Sequence, residues 1–366
     1  MRLALAQARR ADGTTWPNPP VGAVVFRGDR VLGRGFTRPP GGPHAEIVAL
    51  AGARRRHGPA ALRGASLAVT LEPCAHTGRT GPCSEVLVAA RLGRVLVGHR
   101  DPSPHAGGRS LRRLRAAGIA VETGVLEAEC RHQHRGFLSV LARGRPWVAL
   151  KLAASLDGRI ATRRGESRWI SGPAARAFVH GLRRRADALA VGAGTARADD
   201  PELTARRDGR VVRRPGRVVF DTRLRVPPRA RLFRPDAPVW AVCGSRAPAS
   251  RRRALERRSV RVLPVRCAGG RVHLPSALRR LAREGLTSLL VEGGGELAAG
   301  LLAAGCVDEV HWIVSPRLLG GDGAPALAAL GVARLADALV LREPEVRRLG
   351  DDVHIRGLVL RPGEGR

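Results

Sequence analysis

His44, Cys74 and Cys83 are three side chains able to ligate zinc, and Glu46, two positions after His44, is a carboxylate placed to move a proton. An imidazole and two thiolates hold Zn²⁺ with a fourth position left for water, whose pKa the metal lowers toward neutrality. In zinc deaminases of nucleobases the signature is H-x-E followed by P-C-x-x-C, the glutamate carrying protons from water to the leaving amine. His44-Ala45-Glu46 and Pro73-Cys74 follow that pattern, but the second cysteine comes nine positions after the first instead of three. A closed structural site with His76 as fourth ligand is the competing reading, and it gives Glu46 no task. The residues therefore predict hydrolytic attack on an amidine-like ring carbon bearing an amino group, with Glu46 as the acid and base.

Other residue types suit a substrate rather than a metal. Asn18, between Pro17 and Pro19, is either a turn residue or a donor and acceptor for a heterocycle edge. The loop between the cysteines carries His76, Thr77, Arg79 and Thr80, a set suited to a phosphate or sugar. Farther on, Lys151 is the only lysine in a chain with 64 lysines and arginines, which points to a need for a compact ammonium there or to chance retention. Gly192-Ala193-Gly194-Thr195, Asp199-Asp200-Pro201 and Val291-Glu292-Gly293-Gly294-Gly295 each follow a strand-like run. The last leads into a helix whose first amides suit a phosphate, although a plain tight turn explains the glycines as well.

The elements that must hold these residues alternate between strand and helix. In the first part we expect a hairpin of Val21–Phe26 and Val31–Gly35 around Gly28-Asp29, then a helix from Ala45 to Arg56. A strand Leu67–Leu71, a helix Ser84–Arg91 and a strand Val95–Gly98 follow, then a helix Ser110–Ala117 and a strand Ile119–Glu122. Both halves of the metal motif are expected at helix starts, where the dipole favours thiolate. The stretch Leu141–Pro146 breaks the pattern, so the boundary is placed to give domains 1–144 and 145–366, each large enough for its own core. The second part again alternates. Strands are expected at Val148–Ala154, Ala188–Val191, Val218–Phe220, Val239–Val242, Val260–Val265, Leu289–Val291 and Val307–Val314. Helices are expected at Ala174–Arg185, Ala249–Arg258, Ser276–Glu284 and Glu296–Ala304.

A formal net charge of +33 would suit a polyanion binder, but the excess is nearly all arginine spread along the chain, and aromatic residues are 3%. That argues for solvated faces rather than a stacking groove for nucleic acid. The six cysteines include no disulfide-like or redox spacing beyond the metal pair, and no apolar run reaches the length of a membrane span. With an N-terminus lacking an apolar signal core, a cytoplasmic protein is expected.

At this point the motifs become specific. Pro17-Asn18-Pro19 with Val21–Val24, Gly42-Pro43-His44-Ala45-Glu46, and Glu72–Thr80 before Pro82-Cys83 resemble the deaminase domain of the bifunctional RibD family of riboflavin biosynthesis. The long loop between the cysteines is the distinguishing mark, and Gly81, where the family usually has a second proline, is the one departure. In the second part Lys151–Ala161, Gly165–Ser171, Gly192–Thr195 with Asp199–Pro201, and Val291–Leu297 resemble that family's reductase domain. The resemblance implies an α/β fold, a cytidine-deaminase-like α/β/α domain followed by a dihydrofolate-reductase-like α/β domain, with Zn²⁺ and NADPH as cofactors. It implies a diaminopyrimidinone ribosylamino 5′-phosphate as substrate, near Asn18, His76 and Arg79. In the second domain it places Ala153, Trp169, Thr195, Asp199, Thr222 and Gly293, Gly294 and Gly295 at NADPH, and Ser167, Arg183, Leu203, Arg206 and Glu292 at the substrate. Lys151 then meets the sugar chain, and Arg183 and Arg206 the phosphate. The partners expected are this small phosphoribosyl pyrimidine and further copies of the chain, with no nucleic acid and no membrane. A nucleic-acid deaminase with an accessory domain, and a catalytically dead zinc scaffold, are the alternatives.

Overall fold

The computed structural model describes residues 1–75, 81–104 and 106–360. The chain forms two compact units, Met1–Gly144 and Arg145–Arg366. In the first, a five-stranded sheet has the order β2-β1-β3-β4-β5, with β1 Gly22–Arg27, β2 Arg30–Phe36, β3 Ser66–Leu71, β4 Arg94–His99 and β5 Ala120–Thr123. β1 is antiparallel to both β2 and β3, and β3, β4 and β5 are parallel. The helices are α1 Arg2–Ala11, α2 Ala45–His57, α3 Cys83–Ala89, α4 Arg109–Ala116, α5 Glu127–Gln133 and α6 Arg135–Arg143.

This topology gathers the motif at one edge of the sheet. β1 begins where β3 ends, and Phe36 at the end of β2 pairs with Gly22 at the start of β1. The turn carrying Asn18, the start of α2 and the residues after Leu71 therefore share that edge. α2 sits directly on β2, because a Cβ on Gly33 would collide with the Ala49 carbonyl and one on Gly35 with the Ala45 carbonyl. Ala45, Ala49 and Ala53, spaced four apart on one helix face, are all fully buried. Two glycines against an alanine stripe bring main chain against main chain.

The expected hairpin, α2, α3 and α4 are present within a few residues of their expected bounds. One expectation fails: Cys74 does not start a helix but lies in irregular chain after β3, and α3 opens at Cys83. Pro73 withholds an N–H and the long inserted loop separates the cysteines, so only Cys83 takes the helical position. α5 and α6 were not expected, as their arginines, glutamates and histidines obscure the apolar period.

The second unit is built on a nine-stranded sheet of order β13-β12-β11-β8-β16-β6-β17-β20-β19. Its elements in chain order begin with β6 Trp147–Ser155, β7 Arg159–Ala161, α7 Pro173–Arg185, β8 Ala188–Gly192, α8 Ala193–Asp199, β9 Ala205–Arg207, β10 Arg210–Arg213 and β11 Gly216–Phe220. They continue with β12 Val239–Gly244, α9 Ala249–Glu256, β13 Arg261–Val265, β14 Cys267–Ala268, β15 Arg271–Val272, α10 Leu274–Arg283 and β16 Ser288–Glu292. α11 Gly295–Ala303, β17 Glu309–Ser315, β18 Ala324–Pro325, β19 Val340–Leu349 and β20 Asp352–Leu360 complete the unit. β13 through β17 run parallel across the sheet, and the β19–β20 hairpin adds antiparallel to β17. The central strands are almost wholly buried, as in β11 and β12, which is why they read as continuous apolar runs. Pro173 at the first turn of α7 supplies a preset φ where an N–H has no helical partner.

The hairpin of β19 and β20 was not expected. β19 is largely exposed, mixes valines with arginines and glutamates, and breaks register between Arg342 and Glu345, with Glu343 in the left-handed region and Pro344 beside it. A bulge and a proline on an edge strand erase the alternation that would have revealed it. No helix among the described residues is long and apolar enough to cross a membrane.

Two buried histidines in the first unit form a directed chain. His99 Nδ1 donates to the Arg100 carbonyl at 2.8 Å, so its Nε2 accepts from His134 Nδ1, also at 2.8 Å. His134 Nε2 then accepts from the Thr70 hydroxyl at 3.2 Å, and Thr70 Oγ1 accepts the Gly22 amide at 3.1 Å. Both rings are neutral in this arrangement. Burial, reinforced by His99, pushes His134 down to about 3, and burial also lowers His99. The unfolded chain thus binds protons that the folded one refuses below about pH 6.5, so stability falls as pH drops from there toward the folded value. We expect a loss of about 1.4 kcal/mol per pH unit from His134 alone between pH 6.5 and 4. His134→Leu should show a slope shallower by that amount in urea titrations of the unit, and equal slopes would dismiss the assignment.

Candidate functional site

In the first unit the sheet edge brings His44, Cys74 and Cys83 together, with their ligand atoms all within 4.8 Å of one another. His44 is the N-cap of α2 and Cys83 the first residue of α3. His44 Nδ1 lies 3.2 Å from Cys83 Sγ and 3.6 Å from Cys74 Sγ. A tetrahedral Zn²⁺ with N and S ligands at ordinary lengths separates those atoms by about 3.5 Å, so the donor set fits the ion in both kind and spacing. The Cys83 amide donates to Cys74 Sγ at 3.2 Å, so the start of α3 polarises Cys74 although that residue is not on the helix. Hydrogen bonding from Cys83 is the main reason Cys74 falls to about 4, and the same bond, with burial, pushes Cys83 up.

Glu46, in the first turn of α2, is 3% exposed. Burial raises its carboxyl to about 7, against smaller opposing pulls from its own amide and from His44. A bound cation would draw it down again. Behind the ligands, Glu72 accepts from the Ser110 hydroxyl at 2.8 Å and the Asp101 amide at 3.3 Å, tying the chain just before Cys74 to the start of α4. Asn18 lies half-buried in the turn entering β1, its amide on the Thr15 carbonyl and its carbonyl receiving the Thr15 hydroxyl. His76 and Arg79 lie outside the described residues.

In the second unit a cleft of about 1170 Å³ opens at the carboxyl ends of β6, β8 and β16, the edge where parallel α/β sheets bind ligands. Lys151, Ala153, Ser167, Trp169, Arg183, Thr195, Asp199, Leu203, Arg206, Glu292, Gly293 and Gly294 all line it. Gly295 and Thr222 are not in its wall; Thr222 follows β11 on the same edge, where its hydroxyl accepts the Val272 amide at 3.2 Å. Gly293 and Gly294 have φ of 91° and 69°, and a Cβ on either would press on the Thr195 side chain at 3.1 Å. Trp169 is 63% exposed, with the Arg176 guanidinium 4.6 Å from its ring centre.

Charge in this cleft is organised around Glu292. Lys151 on β6 is in register with Glu292 on β16, and Arg183 on α7 holds the same carboxylate with Nε at 2.6 Å and Nη2 at 2.7 Å. Burial pushes Glu292 up, but Arg183 and then Lys151 outweigh it and leave the group below its usual range. Burial lowers Lys151, and Glu292 partly restores it. Arg183 also donates to the Thr204 carbonyl at 3.1 Å. Arg206 is engaged as well, with Nε on the Thr204 hydroxyl, Nη1 on the Gly209 carbonyl and Nη2 on Glu202 at 2.5 Å. These partners join residues up to 109 positions apart and carry no sequence signal of their own.

Residues 146–355 match the RibD C-terminal domain, and residues 1–99 match the cytidine and deoxycytidylate deaminase zinc-binding region. The riboflavin biosynthesis protein RibD of Escherichia coli K12 is 38% identical over 364 residues, covering 96% of this chain and 96% of its own. That of Mycobacterium tuberculosis H37Rv is 40% identical over 357 residues, covering 96% of this chain and 94% of its own. Among solved structures, Acinetobacter baumannii RibD matches with a TM-score of 0.86 at 34% identity, covering 98% of each chain. A Thermotoga maritima diaminohydroxyphosphoribosylaminopyrimidine deaminase/5-amino-6-(5-phosphoribosylamino)uracil reductase matches with a TM-score of 0.83 at 33% identity, covering 98% of this chain and 97% of that one. With a metal-ligand cluster beside a buried glutamate in one unit and a charged cleft in the other, the chain belongs to the RibD family of riboflavin biosynthesis, a zinc-binding deaminase domain joined to a reductase domain.

Proposed function

We propose that the chain catalyses two consecutive steps. The first is hydrolytic deamination of 2,5-diamino-6-ribosylamino-4(3H)-pyrimidinone 5′-phosphate. The second is NADPH-dependent reduction of the deaminated ribosylamino group to ribitylamino. The observation that carries the first is the placement of buried Glu46 beside a His-Cys-Cys cluster with zinc spacing. His44, Cys74 and Cys83 would hold Zn²⁺, which would supply an acidified water at neutral pH. Glu46 would pass one proton of that water to the ring nitrogen and the second, from the hydroxyl then on the ring carbon, to the amine, which leaves as ammonia as the C–N bond breaks. Asn18, His76 and Arg79 are assigned to the substrate.

In the second step NADPH supplies the hydride, and the protein supplies orientation and charge. Ala153, Trp169, Thr195, Asp199, Thr222 and the Gly293–Gly295 turn are assigned to the cofactor. Ser167, Arg183, Leu203, Arg206 and Glu292 are assigned to the substrate, with Lys151 at the sugar chain. Residues 1–144 and 145–366 are the corresponding domains. A homo-oligomer is part of the same proposal, supported by the long edge strand β19 with Val340 and Val346 exposed, and its mass in solution is the check. Cysteines held as thiols rather than disulfides and a small-molecule cleft favour a cytoplasmic enzyme that engages neither membrane nor polynucleotide.

Ammonia release and NADPH oxidation, measured separately on the purified chain with the aminated and the deaminated substrate, test both halves. A metal chelator should stop the first and spare the second. Loss of NADPH oxidation on chelation would refute the division of labour.

A further inference from the structure

The second unit's cleft contains a titratable ring that the motifs above do not include. His180 lies on α7 one turn before Arg183, is half-buried and lines the cleft. Its Nδ1 accepts the backbone N–H of Arg206 at 3.2 Å. An imidazole accepting at Nδ1 carries its single proton on Nε2, so the tautomer is fixed by the main chain of β9. Burial is the main reason His180 lies below the ordinary histidine range. Arg183 and Arg206 add to that lowering, against pulls from Glu292 and the Thr204 carbonyl. The ring is therefore a neutral donor between two arginines whose guanidinium groups are already committed to carboxylates and carbonyls.

We propose that His180 is a further substrate-binding residue of this cleft, its Nε2–H turning from the Thr204 carbonyl to the same anionic group that Arg206 meets. The proposal rests on the reductase reading above. Arg184 and Arg207 also line the cleft, and an uncharged donor adds a directed bond to an anionic oxygen without crowding in another cation. The plainer role for His180 is to tie β9 to α7 through Nδ1 alone.

Two amide variants separate these roles. His180→Asn places an amide near Nδ1 and removes the Nε2 donor, whereas His180→Gln reaches the Nε2 position and gives up the Nδ1 acceptor. For His180→Asn we expect KM for 5-amino-6-(5-phosphoribosylamino)uracil and the calorimetric Kd of ribose 5-phosphate to rise about tenfold. Turnover should stay within about twofold, KM for NADPH and thermal midpoint should be unchanged, and His180→Gln should recover most of the affinity. The proposal is overturned if His180→Asn binds like the parent while His180→Gln is weakened. It is also overturned if both variants are weakened together with a lower midpoint, because the ring is then only a strand tie. If the parent protein binds ribose 5-phosphate but oxidises no NADPH with the deaminated substrate, the reductase reading fails, and the Kd comparison still decides the role of His180.

Discussion

Glu46→Gln is expected to slow ammonia release by about 10²- to 10⁴-fold, the usual contribution of a positioned acid and base. The substitution keeps the shape of the side chain in a site only 3% exposed, so no water is admitted to take over the proton. Zinc content should stay unchanged, since His44, Cys74 and Cys83 provide the ligand atoms and Glu46 is not among them. Thermal stability should hold, because glutamine keeps the volume and shape of this buried side chain. Glu46→Asp, which retreats by one methylene, should lose about 10²-fold through misplacement alone. NADPH oxidation with deaminated substrate serves as the control and should not move. Undiminished ammonia release would remove Glu46 from the proton path, and loss of zinc would turn the effect into a structural one.

Glu292→Gln should have its largest effect on the folding of the second unit. The carboxylate accepts two short bonds from Arg183 and lies in register with Lys151. Arg183 and Glu292 side chains are 20% and 9% exposed. Removing the anion leaves Arg183 and Lys151 without their shared partner at the half-buried wall of the cleft, and breaking a largely buried pair of this kind costs about 3–5 kcal/mol. For a unit of this size that lowers the unfolding midpoint by on the order of 10 °C. The pair also sets an acid limit. The folded pKa of Glu292 lies below its unfolded value, so its stabilisation is present above the unfolded value and is lost as pH falls through the folded one. The variant should therefore lose part of the parent's acid sensitivity below about pH 4.5. Zinc content and ammonia release belong to the other unit and should be unaffected; an unchanged midpoint would show that Arg183 and Lys151 are solvated well enough without the carboxylate.

How much of this was legible in the sequence depended on the range of the interaction. His44, Glu46, Cys74 and Cys83 are chemically distinctive, and the roles proposed for them follow from type and spacing. The alternation of strand and helix also showed, because the central strands of the second sheet are buried on both faces and read as plain apolar runs. The placement of Cys74 at a helix start failed, since spacing does not say which cysteine takes the helical position and which receives its amide. β19 stayed hidden behind Glu343-Pro344 and its largely exposed face. Arg183 and Glu292 were each singled out, but their mutual engagement arises only when α7 crosses β16. The Thr70, His134 and His99 chain is equally nonlocal: its members come from β3, β4 and the turn between α5 and α6.

The glycine seat of α2 on β2 bears on how the first unit fails when heated. Packing through side chains loosens gradually, as rotamers become accessible before the backbone gives way. The contact of Gly33 and Gly35 with the alanine stripe has no rotamer to exchange. The height of His44 and Glu46 above the sheet is fixed by bond lengths and atomic radii, and it stays fixed until α2 lifts off as a whole. Displacement of His44 and Glu46 is then expected to coincide with opening of the α2–β2 layer as a whole.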